Sequence, residues 1–110
     1  MQTSITARHF DLTPQMRDYV TKKIEKLERY SHYIMNAEII LVKDASLEVV
    51  EGKLHLRHDV LTARAQEVDL FQSITEVVDK LVSQLKRHDE RMKDRKKAEP
   101  RRSGGDKFEL

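Results

Sequence analysis

The residues of this chain best suited to do chemistry are basic, and they crowd into its last third. Residues 80–102 contain ten Lys or Arg and four acids, so this segment carries +6 while the rest of the chain, from a total of +2, carries −4. Lysine and arginine bind phosphate oxygens without reading bases. The asymmetry predicts a polyanion-binding surface, with a merely solvated, charged helix face as the alternative.

Spacings of three and four residues arrange these basic side chains in two rows along one helix, predicted over residues 69–97. The first row is Lys80, Gln84, Arg87, Arg91 and Arg95. The second row is Lys86, Lys93 and Lys97. Between them lies an apolar stripe that must be buried: Ile74, Val78, Leu81, Leu85 and Met92. At 1.5 Å per residue this helix is about 43 Å long, so its last third should project beyond the core or fray.

The remaining chain predicts the elements that position this helix. Alternating or β-branched segments predict strands at residues 2–8, 37–43, 47–57 and 60–67, and Gly52 is a plausible bulge or bend. Thr13 and Pro14 predict the start of a first helix that runs to about Tyr30. Residues 31–36 are predicted to be a connection. The second strand is apolar on both faces, which favours a central place in the sheet.

The order β-α-β-β-β-α predicts an α/β (α+β) two-layer sandwich. A helical crossover makes the first two strands parallel and short turns make the others antiparallel, so the four-stranded sheet is mixed and both helices cover one face. The α-β-β-β-α part has the order of double-stranded-RNA-binding domains. We expect one folded domain, residues 1–97, followed by a disordered tail, residues 98–110, that is rich in Arg, Ser and Gly.

Several functional classes are disfavoured by the composition. The chain has no cysteine and only three glycines, so it offers no thiolate metal site and no glycine-rich phosphate loop. His55 and His58 form the one close histidine pair, but their rings should point to opposite faces. No apolar run could span a bilayer and nothing marks the N-terminus for export, so we expect a cytoplasmic protein. No group of residues meets the geometric requirements of a catalytic site, so we expect neither an enzyme nor a cofactor.

The predicted strands contain no Phe, Tyr or Trp. Proteins that read single strands on a sheet surface need aromatic side chains there. Binding through phosphates and the shape of a folded RNA is therefore favoured over base stacking on the sheet.

Short motifs along residues 2–92 resemble the bacterial ribosome hibernation promoting factor and ribosome-associated inhibitor family, also called sigma-54 modulation proteins. The first group of motifs is Ile5-Thr6, Leu12-Thr13-Pro14, Arg17-x-x-Val20 and Lys26-Leu27-Glu28-Arg29-Tyr30. The second group is Asp69-Leu70-Phe71-Gln72-Ser73-Ile74 and Asp79-Lys80-Leu81-x-x-Gln84-Leu85. Their order and spacing make the resemblance specific.

The resemblance implies a protein that enters the channel of the small ribosomal subunit used by messenger and transfer RNA, and silences translation by occupancy under stress or in stationary phase. Its partners would be the small subunit, its ribosomal RNA and the whole ribosome, with no membrane and no small-molecule substrate. Off the ribosome we expect a monomer. The implied RNA contacts are Lys23, Lys26, Lys80, Lys86, Arg87 and Arg91, with Arg17 and Arg8 as secondary candidates.

The chain departs from the family pattern at the start of the last helix. Relatives commonly have Asp-Met-Tyr-x-Ala-Ile-Asp, where this chain has Asp69-Leu70-Phe71-Gln72-Ser73-Ile74-Thr75. Leu70 and Phe71 preserve burial, but the tyrosine hydroxyl is absent. Ser83 and Asp89 stand where some relatives are basic. The chain resembles a short form or the N-terminal domain of a long form, and both ribosome pairing and the blocking of single ribosomes remain open. The alternative function is a protein-interaction regulator linked to transcription, which would use the same domain.

Overall fold

The computed structural model describes the backbone of residues 1–103 and the side chains of residues 1–43 and 45–95. The strands are β1 (Gln2–Arg8), β2 (Ile34–Asp44), β3 (Leu47–Leu56) and β4 (Val60–Glu67). The helices are α1 (Pro14–Ile24) and α2 (Leu70–Ser103), and a 3₁₀ segment (Glu25–Tyr33) follows α1. Within this described part of the chain, no helix is both long and apolar enough to cross a membrane.

The four strands form one mixed sheet in the order β1-β2-β3-β4, with β1 parallel to β2 and the other pairs antiparallel. Both helices pack on one face, and the inward side chains of β2, β3 and β4 form the core with them. The predicted two-layer α+β sandwich is confirmed. So is the central place of β2, whose Ile40 and Val42 are half-buried on the face without helices.

Gly52 allows α2 to approach the sheet closely and does not form the bulge that we considered for it. Its register is regular, opposite Ile39 on β2 and Ala63 on β4. A Cβ atom at Gly52 would lie 2.8 Å from both Leu81 Cδ1 and Val77 Cγ1, inside normal contact distance. The register shift lies instead between Ile34 and Asn36 on β2, so Met35 is the extra residue.

The first helix begins as predicted but ends earlier as an α-helix. Thr13 is the N-cap, since its Oγ1 accepts a hydrogen bond from the Met16 N–H at 3.1 Å. After Ile24 the chain continues in 3₁₀ turns to Tyr33, interrupted at Tyr30, where φ is −112° and ψ is 15°. The predicted connection at residues 31–36 is therefore wrong, because the 3₁₀ segment and β2 occupy it.

A spacing of three residues explains this change of helix type. Ile24, Leu27, Tyr30 and Tyr33 follow one another at steps of three, and the first three are buried. A 3₁₀-helix has three residues per turn, so it keeps Ile24, Leu27 and Tyr30 on one face up to the interruption at Tyr30, whereas an α-helix would rotate each about 60° from the last.

The last helix is fixed to the sheet at its first turn. Asp69 is the N-cap, because its Oδ1 accepts a hydrogen bond from the Phe71 N–H at 3.0 Å. The fully buried Ser73 hydroxyl donates to the Glu48 carbonyl at 2.7 Å and accepts from the Glu67 N–H at 3.1 Å. Both hydroxyl functions are thus satisfied inside the core, as burial of a polar group requires.

Helix α2 continues past residue 97, the predicted end of the domain, to Ser103. At 1.5 Å per residue its 34 residues span about 51 Å. Residues 104–110 of the predicted tail lie outside the described residues, and the division of the chain at residue 97 stays a prediction.

Candidate nucleic-acid interface

Helices α1 and α2 meet through an aromatic contact. The Tyr19 and Phe71 rings pack edge-on, with centroids 4.8 Å apart and an interplanar angle of 79°. The Thr75 hydroxyl donates to the Phe71 carbonyl at 3.0 Å, so its oxygen accepts the Tyr19 hydroxyl proton at 2.9 Å. Two of the residues at which the chain departs from the family pattern, Phe71 and Thr75, thus contact the same tyrosine on α1.

Basic side chains of α1 and its 3₁₀ extension line the side that faces α2. Lys26 Nζ lies 3.2 Å from Asp79 Oδ1 on α2, and Lys23 Nζ lies 5.4 Å from the centroid of the Tyr19 ring. The ion pair is half exposed, with side-chain exposures of 50% and 57%. Such surface ion pairs contribute about 1 kcal/mol at most to the stability of the folded protein, so a phosphate could replace Asp79 as the partner of Lys26.

Lys86 belongs to the same side of α2. It lies seven residues after Asp79, which contacts Lys26, and three before Asp89, which contacts Tyr33. Residues at these spacings share one helix face. We call Lys23, Lys26 and Lys86 the α1 flank.

The opposite side of α2 lies along β4. Lys80 Nζ donates to the Arg64 carbonyl at 2.8 Å, and Gln84 Nε2 donates to the Thr62 carbonyl at 2.7 Å. These side chains bond an edge strand that has no further neighbour, which protects it from pairing with another chain. Arg87 and Arg91, seven and eleven residues after Lys80, are exposed on this side. We call Lys80, Arg87 and Arg91 the β4 flank.

Acidic and neutral side chains separate the two flanks. At 100° per residue, the outermost line of α2 contains Ser83, Glu90 and Asp94, all of which are exposed. The two predicted rows therefore form separate basic surfaces on the two sides of the helix. The crest between them would repel a phosphate backbone.

A further pair of acids, Glu67 at the end of β4 and Glu76 on α2, interacts across the connection between these two elements. The pKa of Glu67, the last residue of β4, is raised because its carboxyl shares a hydrogen bond with Glu76 and feels its negative charge, and burial adds to the rise. Lys80 acts in the opposite direction.

The two secondary candidates lie elsewhere. Arg17 lines a groove between α1 and β1 together with Thr3 and Ile5. Arg8 is exposed on the sheet face opposite the helices, as the neighbouring Ala7 points towards them. The structure thus brings six of the eight predicted residues to the two sides of α2 and leaves Arg17 and Arg8 apart from them.

Sequence reasoning missed a polar contact between the 3₁₀ segment and α2. The Tyr33 hydroxyl donates to Asp89 Oδ1 at 2.6 Å, and Lys93 Nζ lies 3.1 Å from Asp89 Oδ2. The hydrogen bond from Tyr33 and the one from Lys93 hold the pKa of the Asp89 carboxyl below its ordinary value. The same bond, with burial and the carboxylate charge, raises the pKa of Tyr33. Asp89 therefore orients Tyr33.

Tyr33→Phe is expected to destabilise the protein at neutral pH and to have less effect in acid. Because folding lowers the pKa of Asp89, its contribution is present above its unfolded pKa, about 3.9. It is lost as the pH falls through the lower folded pKa. The difference in Tm between wild type and variant, measured by circular dichroism, should shrink from pH 7 to about pH 2. Tyr19→Phe is the control, because Thr75 does not titrate; a pH-independent difference for Tyr33→Phe would contradict the assignment.

The two histidines of the close pair lie on different elements. His55 Nε2 lies 2.7 Å from Glu38 Oε1 on the neighbouring strand, while His58 lies in the β3–β4 turn. Among the side chains that the structure describes, no three His, Asp or Glu residues are grouped as metal ligands.

The fold and its flanks define a small α+β domain with an exposed basic surface on each side of its last helix. The chain belongs to the Sigma 54 modulation protein / S30EA ribosomal protein family, whose model matches residues 3–93. The resemblance stated from the motifs is thereby confirmed.

Two curated relatives illustrate the similarity. The ribosome hibernation promoting factor of Klebsiella oxytoca is 33% identical over 93 residues, which cover 84% of this chain and 98% of the relative. The ribosome hibernation promoting factor of Azotobacter vinelandii is 31% identical over 99 residues, which cover 90% of this chain and 92% of the relative.

Solved structures share the fold. The N-terminal domain of Protein Y from Thermus thermophilus superposes with a TM-score of 0.73 at 28% identity, covering 80% of this chain and 99% of that chain. A ribosomal subunit interface protein from Coxiella burnetii gives a TM-score of 0.76 at 22% identity, covering 81% and 98%. At that identity the second likeness concerns the fold alone.

Proposed function

We propose that this chain is a ribosome hibernation factor that binds the small ribosomal subunit in the channel used by messenger and transfer RNA. It silences translation there by occupancy, under stress or in stationary phase, in the cytoplasm. The observation that carries the proposal is the pair of basic flanks on α2, in a chain whose relatives are named for ribosome hibernation.

The charge arrangement suits a cleft with RNA on two sides. The α1 flank and the β4 flank lie on opposite sides of one helix, and the acidic crest separates them. A helix of this kind neutralises phosphates on both walls of a channel, whereas a flat RNA surface could reach only one flank. Occupancy needs only binding, so no catalytic group is required.

Sedimentation with purified ribosomal subunits tests this function. The folded protein should pellet with the small subunit and with whole ribosomes at low salt, and should be released as the salt concentration rises. The isolated large subunit is the control partner. A folded protein that stays in the supernatant with small subunits at low salt would reject the proposal.

A protein-interaction regulator is the second candidate, and the open face of the sheet favours it. Ile40 and Val42 lie half-buried on that face, where no helix covers them, and Val60 is 50% exposed. Pull-down of partners that persist after nuclease digestion and include no ribosomal protein would favour this function. Loss of all partners on digestion would contradict it.

A further inference from the structure

A cleft lies beneath the part of α2 that projects beyond the sheet. The end of the 3₁₀ segment, the start of β2, the β3–β4 turn and the underside of α2 enclose a volume of about 620 Å³. We call it the ring cleft. Among its lining residues are His32, Tyr33, Met35, His58, His88 and Met92.

Three rings pack in sequence along this cleft. The His32 and Tyr33 centroids are 4.1 Å apart with the planes tilted by 38°, and the Tyr33 and His88 centroids are 4.9 Å apart at 86°. The Tyr33 ring is held in place by its hydroxyl, which is bonded to Asp89. His32 is exposed, and Met35 is 64% exposed. The cleft thus presents planar and apolar surfaces to solvent in an orientation that is already fixed.

A smaller cleft of about 340 Å³ adjoins it and supplies positive charge. The two share His32, Tyr33 and Met92, and the smaller one adds Arg29 and Lys93. Asp89 also lines it, but its two carboxylate oxygens are occupied by Tyr33 and Lys93. One positive charge remains in excess, next to a surface built of rings.

A planar, apolar slot beside a cationic one matches the two halves of a nucleotide. We propose that the ring cleft binds one unstacked base of an RNA strand, while Arg29 and Lys93 hold its phosphate. The identification of the ligand as RNA rests on the proposed function. Continuity with the β4 flank supports it, because Arg87 and Arg91 alternate along α2 with His88 and Met92, which line the cleft.

The proposed base stacking therefore uses other elements than the sheet, which lacks the aromatic side chains that such binding needs. The four strands carry no Phe, Tyr or Trp, and the one histidine ring among them, His55 on β3, is bonded to Glu38. The 3₁₀ segment and α2 supply the rings instead, at the end of the molecule where the basic helix leaves the sheet.

Nuclear magnetic resonance of the full chain with two hexamers tests the proposal. Hexauridylate carries bases and phosphates, whereas an abasic hexamer of the same length carries phosphates alone. Signals of the His32, Tyr33 and His88 rings should shift with hexauridylate and stay in place with the abasic strand, while signals of the flanks move with both. Equal ring shifts with both hexamers, or none with either, would overturn the proposal.

Two substitutions at the exposed His32 test whether an aromatic ring at this position is what binds the base. His32→Ala should raise the Kd for hexauridylate about tenfold, which corresponds to about 1.4 kcal/mol and lies within the range for stacking of one base. His32→Phe keeps a ring and should stay within about twofold of wild type. An unchanged Kd for His32→Ala, or an equal loss in both variants, would contradict base binding here.

The hexamer experiment tests the ring cleft and the ribosome experiment tests the hibernation function, so either proposal can be rejected without the other. Ring shifts in a protein that does not pellet with small subunits would reject the hibernation function and leave the ring cleft as a base site. Pelleting without ring shifts would reject the ring cleft and leave the function intact.

Discussion

Arg87→Glu combined with Arg91→Glu is expected to weaken binding to the small subunit about thirtyfold or more at about 0.1 M salt. Both arginines are exposed on the β4 flank, and neither carries one of the backbone hydrogen bonds by which Lys80 and Gln84 fix α2 to β4. Each phosphate contact contributes about 0.7 to 0.9 to the slope of log K against log salt, so losing two accounts for an effect of this size. Equilibrium pelleting over a salt series measures it.

The α1 flank gives a matched pair of substitutions. Lys23→Glu with Lys86→Glu changes the net charge by the same four units and should lower the affinity for the small subunit by a similar factor. The slope of log K against log salt should again be smaller by about 1.4 to 1.8. Loss from only one pair would mean that the protein contacts RNA through one side of α2. This would contradict the two-walled channel, although it would leave ribosome binding intact.

A control pair on the sheet separates local contacts from overall charge. Lys43→Glu with Lys53→Glu also lowers the net charge by four, but both residues lie on strands, away from the flanks. Its binding should stay within about threefold of wild type, because distant charges are largely screened at this salt. A loss equal to that of the flank pairs would show that only net charge governs the affinity. Circular dichroism confirms that each variant folds.

Gly52→Val is expected to remove about 3 kcal/mol or more from the free energy of unfolding. Even a single added carbon would lie 2.8 Å from the buried side chains of Val77 and Leu81, and valine adds two methyl groups beyond it. Overpacking of a core costs about 1 to 3 kcal/mol for small additions. The free energy of unfolding of such domains is about 5 to 15 kcal/mol in total, so this loss should lower the urea concentration at the unfolding midpoint by a large amount.

Lys53→Val is the control for this substitution. It places the same β-branched side chain one residue further along β3, where the side chain is exposed and points to the face without helices. Its free energy of unfolding should stay within about 0.5 kcal/mol of wild type, as for most surface substitutions. If Gly52→Val were as stable as Lys53→Val, α2 could not approach β3 as closely as the structure shows.

Patterns that repeat along the chain allowed much of the fold and the flanks to be predicted. The period of α2 placed its basic rows on the two sides of a buried stripe, and the capping residue Thr13 with Pro14 marked the start of α1. These features depend on residues near one another in sequence.

Contacts between distant residues could not be predicted. Tyr33 and Asp89 are 56 residues apart, and Lys80 bonds a main-chain carbonyl that any residue at position 64 would provide. The prediction of a bulge or bend at Gly52 missed its role, because that role depends on two side chains of α2 that are distant in sequence. The 3₁₀ segment did leave a signal, since Ile24, Leu27, Tyr30 and Tyr33 are spaced by three, but a search for the α-helical period overlooks it.

The sheet is held unequally at its two edges, and this sets the order in which it would open. Lys80 and Gln84 hold β4 against α2 through their hydrogen bonds. β1 pairs only with β2, and of its side chains only those of Ile5 and Ala7 are half-buried. Cooperative units with few buried contacts exchange their amide protons at low free energy. We therefore expect β1 to be the first part of this domain to unfold locally, leaving an α-β-β-β-α remainder that keeps both basic flanks.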